Sequence, residues 1–302
     1  MTRLGAHAAL LGAAAIWGGG FIAQADAMRG LGPLWFTTLR YGLAALTLLP
    51  MLAVERRSAQ VTLKRTDLAW LLAMGAAFTV ASLLQQFAVT HTSVTHVGFL
   101  TGLYVLFVPM LGAAMLRQVP RPLVFLAALL ALAGTWLIGG GLDGLNGGDL
   151  LAIGCALGFA AQILLLDRII AQTRRPVLAV AFQSAFCTAC TLPVALGTET
   201  ISLAALPSVL PALLFAGIFS GGLAFLLQAI GQSATAPSVA AILLMSESLF
   251  AAVFAVALLG ERLTGLAWLG CGLLFASLLL AQIAPARAAP RDTRSTRSDQ
   301  AA

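Results

Sequence analysis

The chain has 302 residues, 60% of them hydrophobic and only 9% charged, with a formal net charge of +6. An average soluble domain carries roughly 25% charged residues, so this charge is too sparse to cover a 31.1 kDa globule of mean hydropathy +0.97; a soluble fold is excluded in favour of one solvated by lipid. The basic excess sits in short hydrophilic gaps and the C-terminal tail without interleaved aromatics, which argues against a nucleic-acid partner and for membrane topology.

From the N-terminus, apolar runs fall at residues 5–23, 34–54, 67–87, 94–116, 122–139, 149–170, 177–196, 208–230, 236–258 and 264–283. A helix needs about 20 apolar residues to cross a ~30 Å hydrocarbon layer, so the sequence predicts an all-α polytopic membrane protein with ten transmembrane helices. The connections are short and leave no room for a sizeable soluble domain. The first run ends at Ala23-Gln24-Ala25, a small-x-small pattern like a signal-peptide cleavage site, but its match to the sixth run, given below, makes it part of the fold. After Ala284 the composition turns to Pro, Ala, Arg, Ser and Thr, and residues 285–302 are expected to form a disordered cytoplasmic tail. Cys155, Cys187, Cys190 and Cys271 all lie inside apolar runs and read as small hydrophobes. Cys187 and Cys190 spell C-x-x-C, but in mid-span, where packing is the expected role.

Alternating sides, with the N-terminus in the cytoplasm, put Arg3, Arg56, Arg57, Lys64, Arg65, Arg117, Arg121, Arg168, Arg174, Arg175, Arg287, Arg291, Arg294 and Arg297 inside. Arg29 and Arg262 fall outside, and Arg40 lies within the second run. This bias predicts cytoplasmic N- and C-termini.

Shifting the sequence against itself by 143 residues aligns Pro33 with Pro176, Pro50 with Pro193, Leu83-Leu84-Gln85 with Leu226-Leu227-Gln228, and Leu116-Arg117-Gln118 with Leu259-Gly260-Glu261. A shift of 142 pairs Gly12 and Trp17 with Gly154 and Phe159. The predicted organisation is therefore a first five-helix repeat over 1–139, a linker over 140–148 and a second repeat over 149–284. An odd number of spans per repeat makes the two copies inverted, an arrangement that serves secondary transporters by letting two halves exchange inward-open and outward-open shapes.

Several segments then acquire a common meaning: Ala15-Ile16-Trp17-Gly18-Gly19-Gly20-Phe21, Leu39-Arg40-Tyr41, Gly98-Phe99-Leu100-Thr101-Gly102-Leu103-Tyr104-Val105-Leu106-Phe107-Val108-Pro109, Glu247 followed by Phe250-Ala251-Ala252, and Leu258-Leu259-Gly260-Glu261-Arg262-Leu263. Together they resemble the drug/metabolite transporter superfamily, EamA-type, over residues 5–283. The resemblance implies export or exchange of small metabolites, often amino acids or drug-like compounds, across a bacterial inner membrane. It also implies that spans 1–4 and 6–9 enclose the path while spans 5 and 10 are peripheral. Two positions depart from the family pattern: Ser248 stands where many relatives have proline after the glutamate, which weakens the case for a helix break there, and the first repeat lacks the acidic residue, reading Leu116-Arg117-Gln118-Val119.

Ionisable groups within a span are costly, about 2.5–3.5 kcal/mol by insertion scales, and are functional candidates by default. Arg40 and Glu247 are the two well placed within spans. Glu247, near the middle of the ninth span, is the proton-coupling candidate, because the cost of burying its charge suits a group that gains and loses a proton; a structural acid bonded to helix ends or to Arg40 is the alternative. Arg40 either grips a substrate carboxylate through its planar fork or clamps neighbouring carbonyls. Polar residues recur at matched positions: Gln85 with Gln228, Arg40 with Gln183, Tyr104 with Glu247, Gly20 with Gln162. With Thr101 and the aromatic walls Trp17 and Phe159, they form the candidate substrate-binding and translocation set, able to hold a zwitterion; interhelical bonding without ligand contact is the alternative for each.

Other motifs carry less. Gly139-Gly140-Gly141-Leu142-Asp143-Gly144 matches G-x-G-x-x-G literally but lies between the repeats, where a flexible linker is expected. His91 and His96 lie at a connection with no carboxylate or cysteine at ligand spacing, and a solvated loop is expected. No catalytic set, metal site or cofactor is expected, and the chain reads as a carrier, monomeric or homodimeric, and not as an enzyme. A sugar-phosphate or nucleotide-sugar exchanger and a membrane-embedded enzyme or accessory subunit are the alternatives.

Overall fold

Helix boundaries follow local chemistry in a computed structural model of the chain, which describes residues 2–59, 61–92, 94–116, 122–138, 146–201, 206–259 and 262–283. Helix α1 (Arg3–Ala27) begins where Thr2 Oγ1 accepts the Gly5 N–H at 3.2 Å, satisfying one of the four donors that a helix start leaves open. Helix α2 (Pro33–Ser58) opens on a proline, whose missing N–H costs nothing in a first turn. There follow α3 (Arg65–His91), α4 (Val94–Thr101), α5 (Tyr104–Leu116), α6 (Pro122–Ile138), and α7 (Gly147–Thr173), whose start is capped by Asn146. Helix α8 (Pro176–Thr198) again opens on proline. The eighth apolar run is α9 (Leu206–Leu214), a π-helical stretch Phe215–Leu223 and α10 (Ala224–Gln232) in unbroken succession; α11 (Pro237–Leu244), α12 (Glu247–Leu259) and α13 (Gly265–Ile283) complete the chain.

All regular structure among the described residues is helical. Among the described residues, eight stretches are long and apolar enough to cross a bilayer, and Pro122–Ile138 and Gly265–Ala281 are shorter apolar helices. Those two coincide with the fifth and tenth predicted runs; at 17 residues, α6 is about 26 Å long, short of a ~30 Å layer. Arg117, Arg121, the Gly139–Gly144 motif, Gly260-Glu261 and the 285–302 tail lie outside the described residues.

The 143-residue offset recurs in the helix boundaries. It carries Val94–Thr101 onto 237–244 and Tyr104–Leu116 onto 247–259, the bounds of α11 and α12. The fourth and ninth runs are thus both interrupted, at Gly102-Leu103 and at Met245-Ser246. The second break forms without the proline that the sequence lacks: the Ser246 and Ser248 N–H groups donate to Leu243 and Met245 three residues back, a tightened 3₁₀-type turn that ends one helix and starts the next.

Packing obeys the same exchange of halves. Helix α3 packs along α7 and α1 along α10, while α2 lies against α8 and α6 against α13. The α2–α8 pair is antiparallel, because each helix ends beside the start of the other. The Glu199 carboxylate, just past α8, accepts the Leu34 and Trp35 N–H groups of α2 at 3.1 and 3.0 Å. At the opposite end, Glu55 of α2 accepts the Val177 and Leu178 N–H groups of α8 at 2.8 and 2.9 Å, with Arg175 Nε 3.6 Å away. Apolar clusters fill the remaining contacts: one joins Leu10, Val105, Val108 and Ile242, another joins Leu48, Met74, Leu166 and Ile169.

One loop expectation is corrected. His91 is exposed, but His96 Nδ1 lies 3.2 Å from Asp149 Oδ1, a fully buried carboxylate that also accepts from Thr92 Oγ1 at 2.9 Å and from the Asn146 N–H at 2.8 Å. The carboxylate stands 53 positions along the chain, so no local ligand spacing could reveal it.

Candidate functional site

A cavity of about 60 Å³ lies where α1, α2, α3, α7 and the π-helical stretch meet the two helix breaks. At about 10–15 Å³ per water, it has room for about four to six waters or one compact solute. Of the candidate residues, Trp17, Arg40, Gln85, Thr101, Tyr104, Phe159, Gln162, Gln228 and Glu247 all line it. Gln183 does not; it lies fully buried behind the wall and accepts from Gln162 Nε2 at 3.0 Å.

Tyr104 and Glu247 reach the cavity as the first residues of α5 and α12. The breaks that deliver them touch: a Cβ on Gly102 would stand 2.6 Å from Met245 Cε and 3.0 Å from the Phe99 carbonyl oxygen, so any side chain there must push the methionine tip aside. Discontinuous helices at a central cavity are a recurrent way for a membrane protein to bring backbone and side-chain polarity to a solute.

Arg40 is 7% exposed, and its Nη2 donates to Ser220 Oγ at 2.8 Å. Its guanidinium carbon lies 5.2 Å from the Tyr41 ring centre and 5.9 Å from that of Phe36, within cation–π range. Its Nε is buried without a hydrogen-bond partner. Glu247 is 6% exposed and, among the described residues, makes neither a hydrogen bond nor an ion pair with its carboxylate; in particular it does not pair with Arg40. Two further polar atoms of the wall, Tyr104 Oη and Gln228 Oε1, are also buried without a partner. Leaving such groups unmet costs about 1–3 kcal/mol each, so this wall is built for something polar.

The rest of the wall is held firmly. Gln228 Nε2 donates to Gln232 Oε1 at 2.9 Å and Gln232 Nε2 to the Ile163 carbonyl at 3.0 Å. Gln24 Nε2 donates to Gln86 Oε1 at 2.8 Å. Trp17, Phe225, Phe78, Tyr41 and Phe159 pack edge to face with ring centres 4.8 to 6.3 Å apart, which fixes the aromatic side of the cavity.

Gln24, Tyr41, Ser220 and Phe225 also line the cavity and are absent from the sequence-derived set. Gln24 sits past the end of the first apolar run, and Ser220 and Phe225 are camouflaged within the eighth. A usable signal for Ser220 is its setting in Gly217-Ile218-Phe219-Ser220-Gly221-Gly222, a cluster of small residues that permits close helix approach.

Fold and site together define a multi-pass helical membrane protein with a polar cavity between discontinuous helices. The sequence matches the EamA-like transporter family over residues 4–140 and again over 146–282, and the chain belongs to that family. An uncharacterized transporter of Archaeoglobus fulgidus is 29% identical over 94% of this chain and 87% of its own length. The uncharacterized transporter YwfM of Bacillus subtilis is 29% identical over 90% of this chain and 92% of its own. A crystal structure superposes with a TM-score of 0.77 over 93% of this chain and 97% of that chain, at 19% identity, a likeness of fold alone.

Proposed function

We propose that the protein is a secondary active carrier that moves a small zwitterionic, amino-acid-like or drug-like metabolite across a bacterial inner membrane, by efflux or exchange through alternating access. Its ten spans form two inverted five-helix repeats with both termini cytoplasmic. The observation that carries this reading is that one cavity is lined both by Arg40, whose Nε is unpartnered, and by Glu247, whose carboxylate makes no ion pair among the described residues. A zwitterion meets both: its carboxylate takes the guanidinium, and its ammonium faces Glu247 and the orphan oxygens of Gln228 and Tyr104. Inversion is supported by the antiparallel α2–α8 pair and by helix breaks at equal offsets. A sugar-phosphate exchanger fits less well, since Arg40 is the one basic residue among those lining the cavity.

Glu247 serves as the proton-coupling acid in this scheme. In proteoliposomes loaded with candidate amino acids, Glu247→Gln should abolish proton-gradient-driven accumulation while the purified variant keeps its size-exclusion profile. Full gradient-driven transport by the variant would remove proton coupling at this residue.

A further inference from the structure

The orphan Nε of Arg40 raises the question of what holds the rest of the guanidinium, and the answer lies in the one π-helical stretch among the described residues. Ser220, in the sixth of its nine positions, accepts from Arg40 Nη2 at 2.8 Å through its hydroxyl and from Trp17 Nε1 at 3.0 Å through its carbonyl. The stretch is pressed on α2 at this level: a Cβ on Gly217 would stand 2.6 Å from Leu43 Cβ and 3.1 Å from the Arg40 carbonyl oxygen. The wider π turn bonds residues five apart where an α-helix bonds residues four apart, and here it brings the hydroxyl onto the guanidinium.

We propose that Ser220 is the specificity-determining positioning residue of the cavity: by occupying Nη2 and anchoring Trp17, it fixes Arg40 with Nε left for a substrate carboxylate. The inference rests on the carrier reading, in which Arg40 is the carboxylate anchor. Without the hydroxyl the guanidinium turns to satisfy itself elsewhere, and discrimination between a carboxylate-bearing solute and the same solute without it collapses.

The test uses the purified full-length protein and three probes in a direct binding titration: alanine, propionate, which lacks the amine, and ethylamine, which lacks the carboxylate. Wild type should bind alanine more tightly than ethylamine. Ser220→Ala, and Ser220→Cys as a near-isosteric variant with a poor acceptor, should weaken alanine and propionate about tenfold, the loss of one hydrogen bond to a charged group, with ethylamine unchanged and Ser220→Thr restoring the preference. An equal loss for all three probes, or unchanged alanine affinity in both variants, overturns the positioning role and leaves the carrier reading standing. A wild type that binds alanine no better than ethylamine removes the carboxylate anchor and both readings with it.

Discussion

The exchange of carboxylate caps between α2 and α8 makes a quantitative demand. Glu199→Ala removes the acceptor of two backbone N–H groups at the start of α2. Hydrogen bonds to a charged group are worth about 1.5–3 kcal/mol each, and the carboxylate also gains roughly 0.3–1 kcal/mol from the helix dipole. The lower ends together give about 3.3 kcal/mol, and because Glu199 is half-buried, water replaces part of the lost bonding and brings the loss to about 2–3 kcal/mol. Glu199→Gln keeps one oxygen and should lose about half of that. Glu55→Ala removes the same pair of bonds at the start of α8 and an ion pair with Arg175, so it should cost as much or slightly more. The two sites stand near opposite ends of a 26-residue helix, at Leu34-Trp35 and at Glu55, about 30 Å apart along its axis, and the double variant should show the sum. Equilibrium unfolding in mixed detergent micelles, followed by fluorescence, measures each loss. Glu199→Ala and Glu55→Ala variants both within about 0.5 kcal/mol of wild type would refute the claim that these caps hold the two halves together.

Three further outcomes are expected. Arg40→Gln should weaken anionic and zwitterionic substrates by at least tenfold while sparing cationic ones, because it removes the cavity's cation; counterflow with solutes of each charge type measures this, and equal losses for all would favour a purely structural arginine. Gly102→Val should overpack the crossing against Met245 at a cost of about 1–3 kcal/mol and stop transport, with partial recovery in Gly102→Val/Met245→Ala; a single variant as stable and active as wild type would mean that the breaks do not need to touch. In a cysteine-free background, thiols introduced at Arg57 and Thr200 should be labelled by a membrane-impermeant reagent from opposite sides, and labelling from one side would sink the inverted topology.

Most of the helical layout was legible because lipid imposes a simple rule: twenty apolar residues or none. Matched positions did the rest. Tyr104 with Glu247 and Gln85 with Gln228 were pairs before they were neighbours, and all four line the cavity. Gln183 shows where that logic stops. In the antiparallel α2–α8 pair Thr38 meets Thr191, which sets Gln183 about 9 Å along the pair from its mate Arg40, and there it serves as a support for Gln162. Ser220 and the His96–Asp149 contact were hidden for another reason, since both depend on partners far along the chain, 180 residues away for Arg40 and 53 for His96. The break at Met245-Ser246 was hidden because no proline announces it; only the equivalent position beside Gly102 does.

The matched breaks also set which parts of the chain can change length. Removing one residue within α4 would turn Tyr104 by about 100° and draw it back 1.5 Å relative to the start of that helix, sending its hydroxyl out of the cavity while Glu247, in the other half, stayed in place. The same deletion in a connection outside the breaks would be absorbed locally. Natural length variation should therefore be confined to the connections, with α4 and α11 each held at eight residues, so that the interval from a helix start to its break acts as a ruler cut twice to one measure.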